Sequence, residues 1–392
     1  MSLFPNYPRY PYSFVKGQGA EFIDSDGKKY LDFGAGIGVA NLGHCHPGVQ
    51  QALLEQAQTL WHTSNLFQIS LQEEVAAKLC KYSQLGAAFF CNSGAEANEA
   101  AFKLARKWAH EQKGIDQPEI ITFSKSFHGR TLATLTATGQ DKVKKGFAPL
   151  VPGFVEVPYG DMEQVKRATK EQTAAICLEL VQGEGGVNPA DPSFVAELVD
   201  WCQEHQLLLI IDEVQTGMGR TGELFAFQTY GIKPDIITLA KGLGNGFPVG
   251  AMLATESLKS VLSPGSHGTT FGGNLLAMAV ANAVIDELTK PRFLAEVKEK
   301  AAQFVPALRK ELSAFPIVRE VRAKGLMMGI ELECDAKPLI EEALKRGLII
   351  LPAGENVLRL LPPLTISMEQ LMHGLAILRE TIQFYAKEGA VQ

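Results

Sequence analysis

The sequence predicts an α/β protein: a mostly parallel central sheet in a large α/β/α domain, with a smaller α+β domain drawn from both termini. Three observations predict it. From about residue 48 to 285, strand-like apolar runs alternate with amphipathic helical segments, the pattern of a layered parallel sheet. The runs are short, rich in Ile and Leu and bounded by turn residues, as strands buried on both faces are. Beyond a long helical stretch around 292–314, the rhythm changes to strand, helix, strand, helix. The expected boundaries are 1–47 for an N-terminal segment that joins the small domain, 48–285 for the large domain and 286–392 for the C-terminal small domain.

Taken in order, residues 1–20 are rich in Pro and Tyr and read as extended chain. A hairpin follows from Ala20 through the turn Asp26-Gly27 to Phe33. The strands of the large domain are expected at Ala87–Cys91, Ile120–Phe123, Ala175–Glu179, Leu207–Ile211, Ile236–Ala240 and Gly250–Ala254. A helix is expected over Glu96–Trp108, with Ser93 as a good N-cap. Pro291 stands near the start of the 292–314 helix, where proline is tolerated.

Composition narrows the function. With 392 residues, 46% hydrophobic and 20% charged, the chain has the make-up of an ordinary soluble globular protein with a large core. A net charge of −6 and no basic tract argue against a nucleic-acid surface. No apolar run reaches the length of a membrane span, and the start MSLFPNYPRYPYSF lacks the parts of a signal peptide. The six cysteines are scattered without a CxxC pair and read as reduced thiols of a cytoplasmic protein.

The chemistry is concentrated at two strand ends. Leu207–Ile211 stops at Asp212, and Ile236–Ala240 stops at Lys241. Parallel sheets bind ligands at the carboxyl ends of their strands, so this acid and this lysine can share one ligand. Pyridoxal 5′-phosphate (PLP) needs such a pair: a lysine for its covalent link and an acid against its ring nitrogen. An acid about 4 Å from the pyridinium is worth roughly 4 kcal/mol at an effective dielectric of about 20. That corresponds to about three pKa units, enough to keep the ring protonated at neutral pH. A lysine near that cation and partly desolvated has a lowered pKa and is a usable base. The plainer alternative is two loop charges or helix caps at strand ends.

Three further stretches fit the same ligand. Ser93, Gly94 and Ala95 open a helix whose free amides suit a phosphate, although a plain capped helix has the same look. Phe127 and Arg130 follow the Ile120–Phe123 strand; a strand-end aromatic can stack on a planar ring and an arginine can grip a carboxylate. A core Phe and a surface Arg are the alternative. Glu179 to Gly186 puts two acids and three glycines in one tight polar loop. Other signals are set aside. Gly34-Ala35-Gly36-Ile37-Gly38 lacks the last glycine of a dinucleotide loop, because Val39 stands there. Lys241-Gly242-Leu243-Gly244-Asn245-Gly246 is not a P-loop, whose Lys follows its last glycine. His44-Cys45-His46 reads as a turn entering a helix at Pro47 and not as a metal cluster.

Eight pieces in fixed order resemble the class III, ornithine-type PLP-dependent aminotransferases over nearly the whole chain. They are LGHCHP at 42–47, NSGAEANEAAFKLAR at 92–106, FHGRT at 127–131, QGEGG at 182–186, DEVQTGMGRTG at 212–222, LAKGLGNGFPVGA at 239–251, HGTTFGGN at 267–274 and LRLLPPLTIS at 358–367. The resemblance implies PLP transferase fold type I, and is greatest to the subgroup acting on N-acetylornithine. It implies that Lys241 carries PLP and moves the proton, Asp212 pairs with the ring nitrogen, and Gln215 contacts the ring hydroxyl side. It further implies that Phe127 stacks on the ring, that Ser93, Gly94 and Ala95 meet the phosphate, and that Thr270 reaches the cofactor of a neighbouring subunit. Arg130, Thr269 and Arg359 would bind substrate, with Arg359 on the second carboxylate of 2-oxoglutarate or glutamate. Glu184 would neutralise Arg359 when an ω-amine donor is bound. The implied partners are small molecules and a second copy of the chain in a homodimer with shared sites, with no nucleic acid, membrane or metal. Ornithine or another ω-amino acid is the alternative donor. An aminomutase, needing no external oxo acid, and a PLP-binding protein without catalysis are the other readings.

Overall fold

A computed structural model describes residues 2–388. Its centre is a seven-stranded sheet running, edge to edge, Ala87–Cys91, Gly250–Ala254, Ile236–Leu239, Leu208–Asp212, Thr173–Leu178, Glu119–Phe123 and Phe154–Val157. Every strand except Gly250–Ala254 points the same way; that one is antiparallel to both neighbours. The three central strands are buried along their whole length, which is why they read as unbroken apolar runs and not as alternation. Each buried Ile or Leu side chain there contributes about 1.5–3 kcal/mol relative to exposure.

The expected strands lie within one or two residues of the observed ones. Two differences matter. Asp212 is the last residue of its strand, so its backbone is held by the sheet and its side chain emerges at the carboxyl edge. Phe154–Val157 was not anticipated; it is only four residues long and pairs with a single neighbour at the sheet edge.

The helix expected over Glu96–Trp108 runs from Gly94 to Lys113. Its start is set by Ser93, whose hydroxyl accepts the Glu96 amide at 3.2 Å, and its end by Gly114 in the left-handed conformation at φ 66°. Ala97, Ala101, Leu104 and Ala105 recur at helical spacing and are buried. The later helix spans Phe293–Leu312.

The two ends of the chain meet. Glu21–Asp24 and Lys29–Asp32 form the expected hairpin, extended by Phe14–Gln18 as a third strand. Lys29–Asp32 also pairs in parallel with Leu348–Ile349, with Leu31 opposite Leu348. A second sheet combines Val318–Lys324, Met327–Leu332, Val357–Leu360 and Leu351–Pro352.

The segment after the hairpin is a tight turn. Ala35, Gly36, Ile37 and Gly38 all have positive φ, and Asp32 Oδ1 accepts the amides of Gly34 and Ala35 at 2.7 and 2.9 Å. His44 Nε2 lies 2.7 Å from Asp32 Oδ2, and His46 leads directly into the helix Pro47–Ala57. Among the described residues no three His, Cys, Asp or Glu side chains are grouped to hold a metal ion. All six cysteines are free thiols, and no described helix is long and apolar enough to cross a membrane.

Candidate active site

The carboxyl edge of the sheet closes around a cavity of about 400 Å³. The chain brings Ser93, Gly94, Ala95, Phe127, Arg130, Glu184, Asp212, Gln215 and Lys241 together in its wall. Register explains the meeting of the acid and the lysine: Asp212 lies opposite Thr238 on the adjacent parallel strand, three residues before Lys241. Lys241 has φ 42°, a left-handed conformation that costs a non-glycine residue of order 1–3 kcal/mol and is typical of functional sites. Burial pulls its ammonium below the ordinary lysine range; Glu184 opposes that fall and Arg359 adds to it.

Asp212 is held on both oxygens. Oδ1 accepts the Val214 amide at 3.0 Å, and Oδ2 accepts from Asn98 Nδ2 at 2.8 Å and faces His128 Nδ1 at 2.7 Å. Burial disfavours a cation on His128. The facing Cys177 sulfur and the Asp212 carboxylate outweigh it, so the ring titrates well above its usual range. A protonated His128 donates to Asp212 Oδ2.

At the other end, the Gly94–Lys113 helix presents its amino terminus. The first amides of a helix have no intrahelical acceptor. Ser93 takes those of Glu96 and Ala97, which leaves Gly94 and Ala95, both in the cavity wall, for a ligand anion. The Ser93 hydroxyl itself is turned to Glu96. Gly94 has to be glycine: a Cβ there would meet Val214 Cγ1 at 2.7 Å. Phe127 and Val214 give the cavity apolar walls, and the Arg130 guanidinium lies 5.5 Å from the centre of the Phe127 ring. This donor set fits PLP: amides for a phosphate, apolar walls for a ring, an anion for a ring nitrogen and a lysine for an aldehyde.

Arg359 reaches the same place from the strand Val357–Leu360. It is 2% exposed, and its Nη1 bonds Glu184 Oε1 at 2.5 Å and Gln215 Oε1 at 3.1 Å. Burial disfavours charge on Glu184, and Arg359 overcomes it, holding that carboxyl below its ordinary value. Arg130, by contrast, has no carboxylate within ion-pair distance among the described residues.

Two expected residues stand apart. Thr269 and Thr270 line a separate surface depression with Phe89, Glu96 and His267. Thr269 Oγ1 accepts the Gly272 amide at 3.1 Å, and Thr270 is exposed. Asn98, His128, Val214 and Thr238 were given no role by sequence reasoning, and Glu179 was noted only as an acid of a polar loop. Glu179 accepts the Phe127 amide at 3.0 Å, and burial pushes its carboxyl up to about 8. The only signal for His128 and Val214 was their place inside FHGRT and DEVQTGMGRTG. Asn98 had its place inside NSGAEANEAAFKLAR, and Thr238 had no signal beyond lying in a buried strand.

A class-III aminotransferase family model matches residues 4–382. The chain belongs to the class-III aminotransferases. It is thus a PLP-dependent transaminase acting on small molecules. Among the relatives of this aminotransferase, the acetylornithine aminotransferase of Streptococcus mutans is 55% identical over 382 residues, covering 97% of this chain and 99% of the relative. That of Bacillus subtilis is 50% identical over 386 residues, covering 98% of each chain. The crystal structure of ornithine aminotransferase from Toxoplasma gondii superposes with a TM-score of 0.95 at 33% identity, covering 99% of this chain and 94% of that one. N-acetylornithine aminotransferase from Stenotrophomonas maltophilia gives a TM-score of 0.85 at 38% identity, covering 97% and 98%.

Proposed function

We propose that this aminotransferase moves the ω-amino group of N-acetylornithine to 2-oxoglutarate, giving N-acetylglutamate semialdehyde and glutamate, as a cytoplasmic step of arginine biosynthesis. The observation that carries this reading is the asymmetry of the two arginines. Arg130 is free to take one carboxylate, while Arg359 is neutralised by Glu184. A donor with one carboxylate and an ω-amine suits the paired state. A dicarboxylate suits the state in which Glu184 has moved off Arg359. The close relatives named for acetylornithine favour that donor over ornithine. Residues 1–47, 48–285 and 286–392 are proposed as the N-terminal segment, the PLP-binding domain and the C-terminal small domain.

PLP, when bound, supplies the electron sink for the carbon that loses its proton. The residues do the rest. Gly94 and Ala95 anchor the phosphate, Phe127 and Val214 hold the ring plane, and Gln215 meets the ring hydroxyl side. Asp212 keeps a proton on the ring nitrogen. Arg130 orients the substrate carboxylate. Lys241 would lift the proton from the substrate carbon and deliver it to the cofactor; its lowered pKa keeps it a base. The second half-reaction reverses the order with the oxo acid, a ping-pong scheme.

Single-turnover kinetics of each half-reaction test the arginine switch. Arg359→Ala is expected to weaken glutamate and 2-oxoglutarate roughly tenfold to hundredfold, the worth of about 1.5–3 kcal/mol for a bond to a charged group. Glu184→Ala is expected to spare glutamate and weaken acetylornithine. Equal losses for both substrate classes would show two structural residues and no switch. A donor panel with 2-oxoglutarate separates the remaining readings: preference for ornithine would move the substrate, and turnover without any oxo acid would mean an aminomutase.

We also propose a homodimer with shared sites. Leu66, Phe67, Trp61 and Phe271 are 90, 67, 62 and 63% exposed, large apolar side chains that a second copy would cover. Asn65 Nδ2 bonds the carbonyls of Thr269 and Gly272 at 3.1 and 3.0 Å, so Thr270 belongs to that face. Thr270 on one copy would then complete the phosphate site of the other. Mixing Lys241→Ala with Thr270→Ala subunits is expected to restore part of the activity, because some heterodimers carry one intact site. No recovery in confirmed heterodimers would contradict a shared site.

A further inference from the structure

We propose that Asn98, held by Thr238, is a positioning residue that aims Asp212 at the ring nitrogen of the cofactor. This rests on the reading of Asp212 as the partner of that nitrogen.

The geometry is a closed set of buried bonds. Thr238 Oγ1 donates to Asn98 Oδ1 at 2.8 Å. Asn98 Nδ2 donates at 2.8 Å both to Asp212 Oδ2 and to the carbonyl of His128. Thr238, Asn98, His128 and Asp212 are 0, 1, 2 and 4% exposed. The direction of the Asn98 amide follows from the donor inventory. Turned over, its oxygen would face a carboxylate and a carbonyl, two acceptors, with no donor between them. The Thr238 hydroxyl favours the observed orientation by supplying the donor that Asn98 Oδ1 needs.

The consequence falls on Asp212. A carboxylate offers about four lone-pair sites. Oδ2 takes Asn98 and His128, and Oδ1 takes the Val214 amide, which leaves acceptor capacity on Oδ1 for the cavity that Asp212 lines. Asn98 lies four residues after Gly94, about 6 Å along a rigid helix at about 1.5 Å per residue. One helix therefore sets the separation between the phosphate end of the site and the acid at its nitrogen end. Thr238, opposite Asp212 in the sheet and three residues before Lys241, ties the lysine strand into the same frame.

Loss of the Thr238 hydroxyl frees the Asn98 amide and removes a donor from Asp212. A carboxylate no longer aimed at the ring nitrogen stabilises the proton there less. The test is the 15N resonance of the ring nitrogen in holoenzyme loaded with 15N-labelled PLP. Wild type and Thr238→Ser are expected at the protonated position. Thr238→Val and Asn98→Ala are expected to move toward neutral pyridine, with kcat down about tenfold and the donor KM little changed, the signature of an effect on the barrier. Thr238→Val keeps the β-branched shape of the strand residue, so it stands in if Asn98→Ala fails to fold. Unmoved resonances in both variants, beside a moved one in Asp212→Ala, would overturn the relay and leave Asp212 in its role. So would a Thr238→Ser shift as large as that of Thr238→Val. An unmoved resonance in Asp212→Ala would overturn the role of Asp212 itself.

Discussion

Lys241→Ala is expected to abolish turnover while leaving most of the cofactor grip in place. The lysine has two tasks, the covalent link and the proton transfer, and no other described lysine lines the cavity. Loss of a positioned general base alone costs about 10² to 10⁴ in rate. Loss of the link is added to that, so a fall of about 10⁴ or more is expected. The Gly94 and Ala95 amides, the Phe127 and Val214 walls and Asp212 are untouched by the change. The variant should therefore still retain PLP through dialysis but release it on denaturation even after borohydride treatment, which fixes it to the wild type. Residual activity within about tenfold of wild type would remove Lys241 from the proton path.

Asp212→Ala is the second large effect. Without the anion the ring nitrogen loses about three pKa units of stabilisation, and the expected fall in turnover is about 10³. Phosphate anchoring should change far less, because it sits at the helix start around Gly94. The fold should suffer as well. The Val214 amide, Asn98 Nδ2 and His128 Nδ1 all lose their acceptor inside a buried network, and each buried unsatisfied group costs about 1–3 kcal/mol. His128 also loses one of the groups that hold its proton, so its titration should move down from its raised value. Turnover kinetics, cofactor dissociation and thermal unfolding measured together check this pattern. Near-normal turnover, or an equal loss of cofactor binding and turnover, would contradict it.

The parts of this site that could be read in the sequence share one property: they break a local pattern. Asp212 and Lys241 are charges at the ends of apolar runs, and Gly94 is a glycine at a capped helix start. Such breaks are visible one segment at a time. Asn98 and Thr238 break nothing, since an Asn inside an amphipathic helix and a Thr inside a strand are common. Only register brings them beside Asp212, and register is a property of two or more segments. His128 was hidden for a related reason. It is a polar residue beside a strand end, and its burial depends on which strand lies next to it. The Arg359–Glu184 pair joins residues 175 apart in sequence, so family resemblance found it and local pattern did not. Thr270 lies apart from the cavity of its own chain, and its proposed place at another copy's site comes from the family resemblance and not from local pattern. The short edge strand Phe154–Val157 was missed because four residues with one neighbour leave little pattern to see.

The central claim is that the ends of two adjacent parallel strands, Asp212 and Lys241, hold one PLP between them. Borohydride reduction of the purified protein followed by peptide mapping tests it most directly. The expected result is a single pyridoxyl-modified peptide, with the label on Lys241 and none on the nearby exposed Lys125. Label on any other lysine, or a protein that carries PLP yet cannot be reduced onto Lys241, would contradict it.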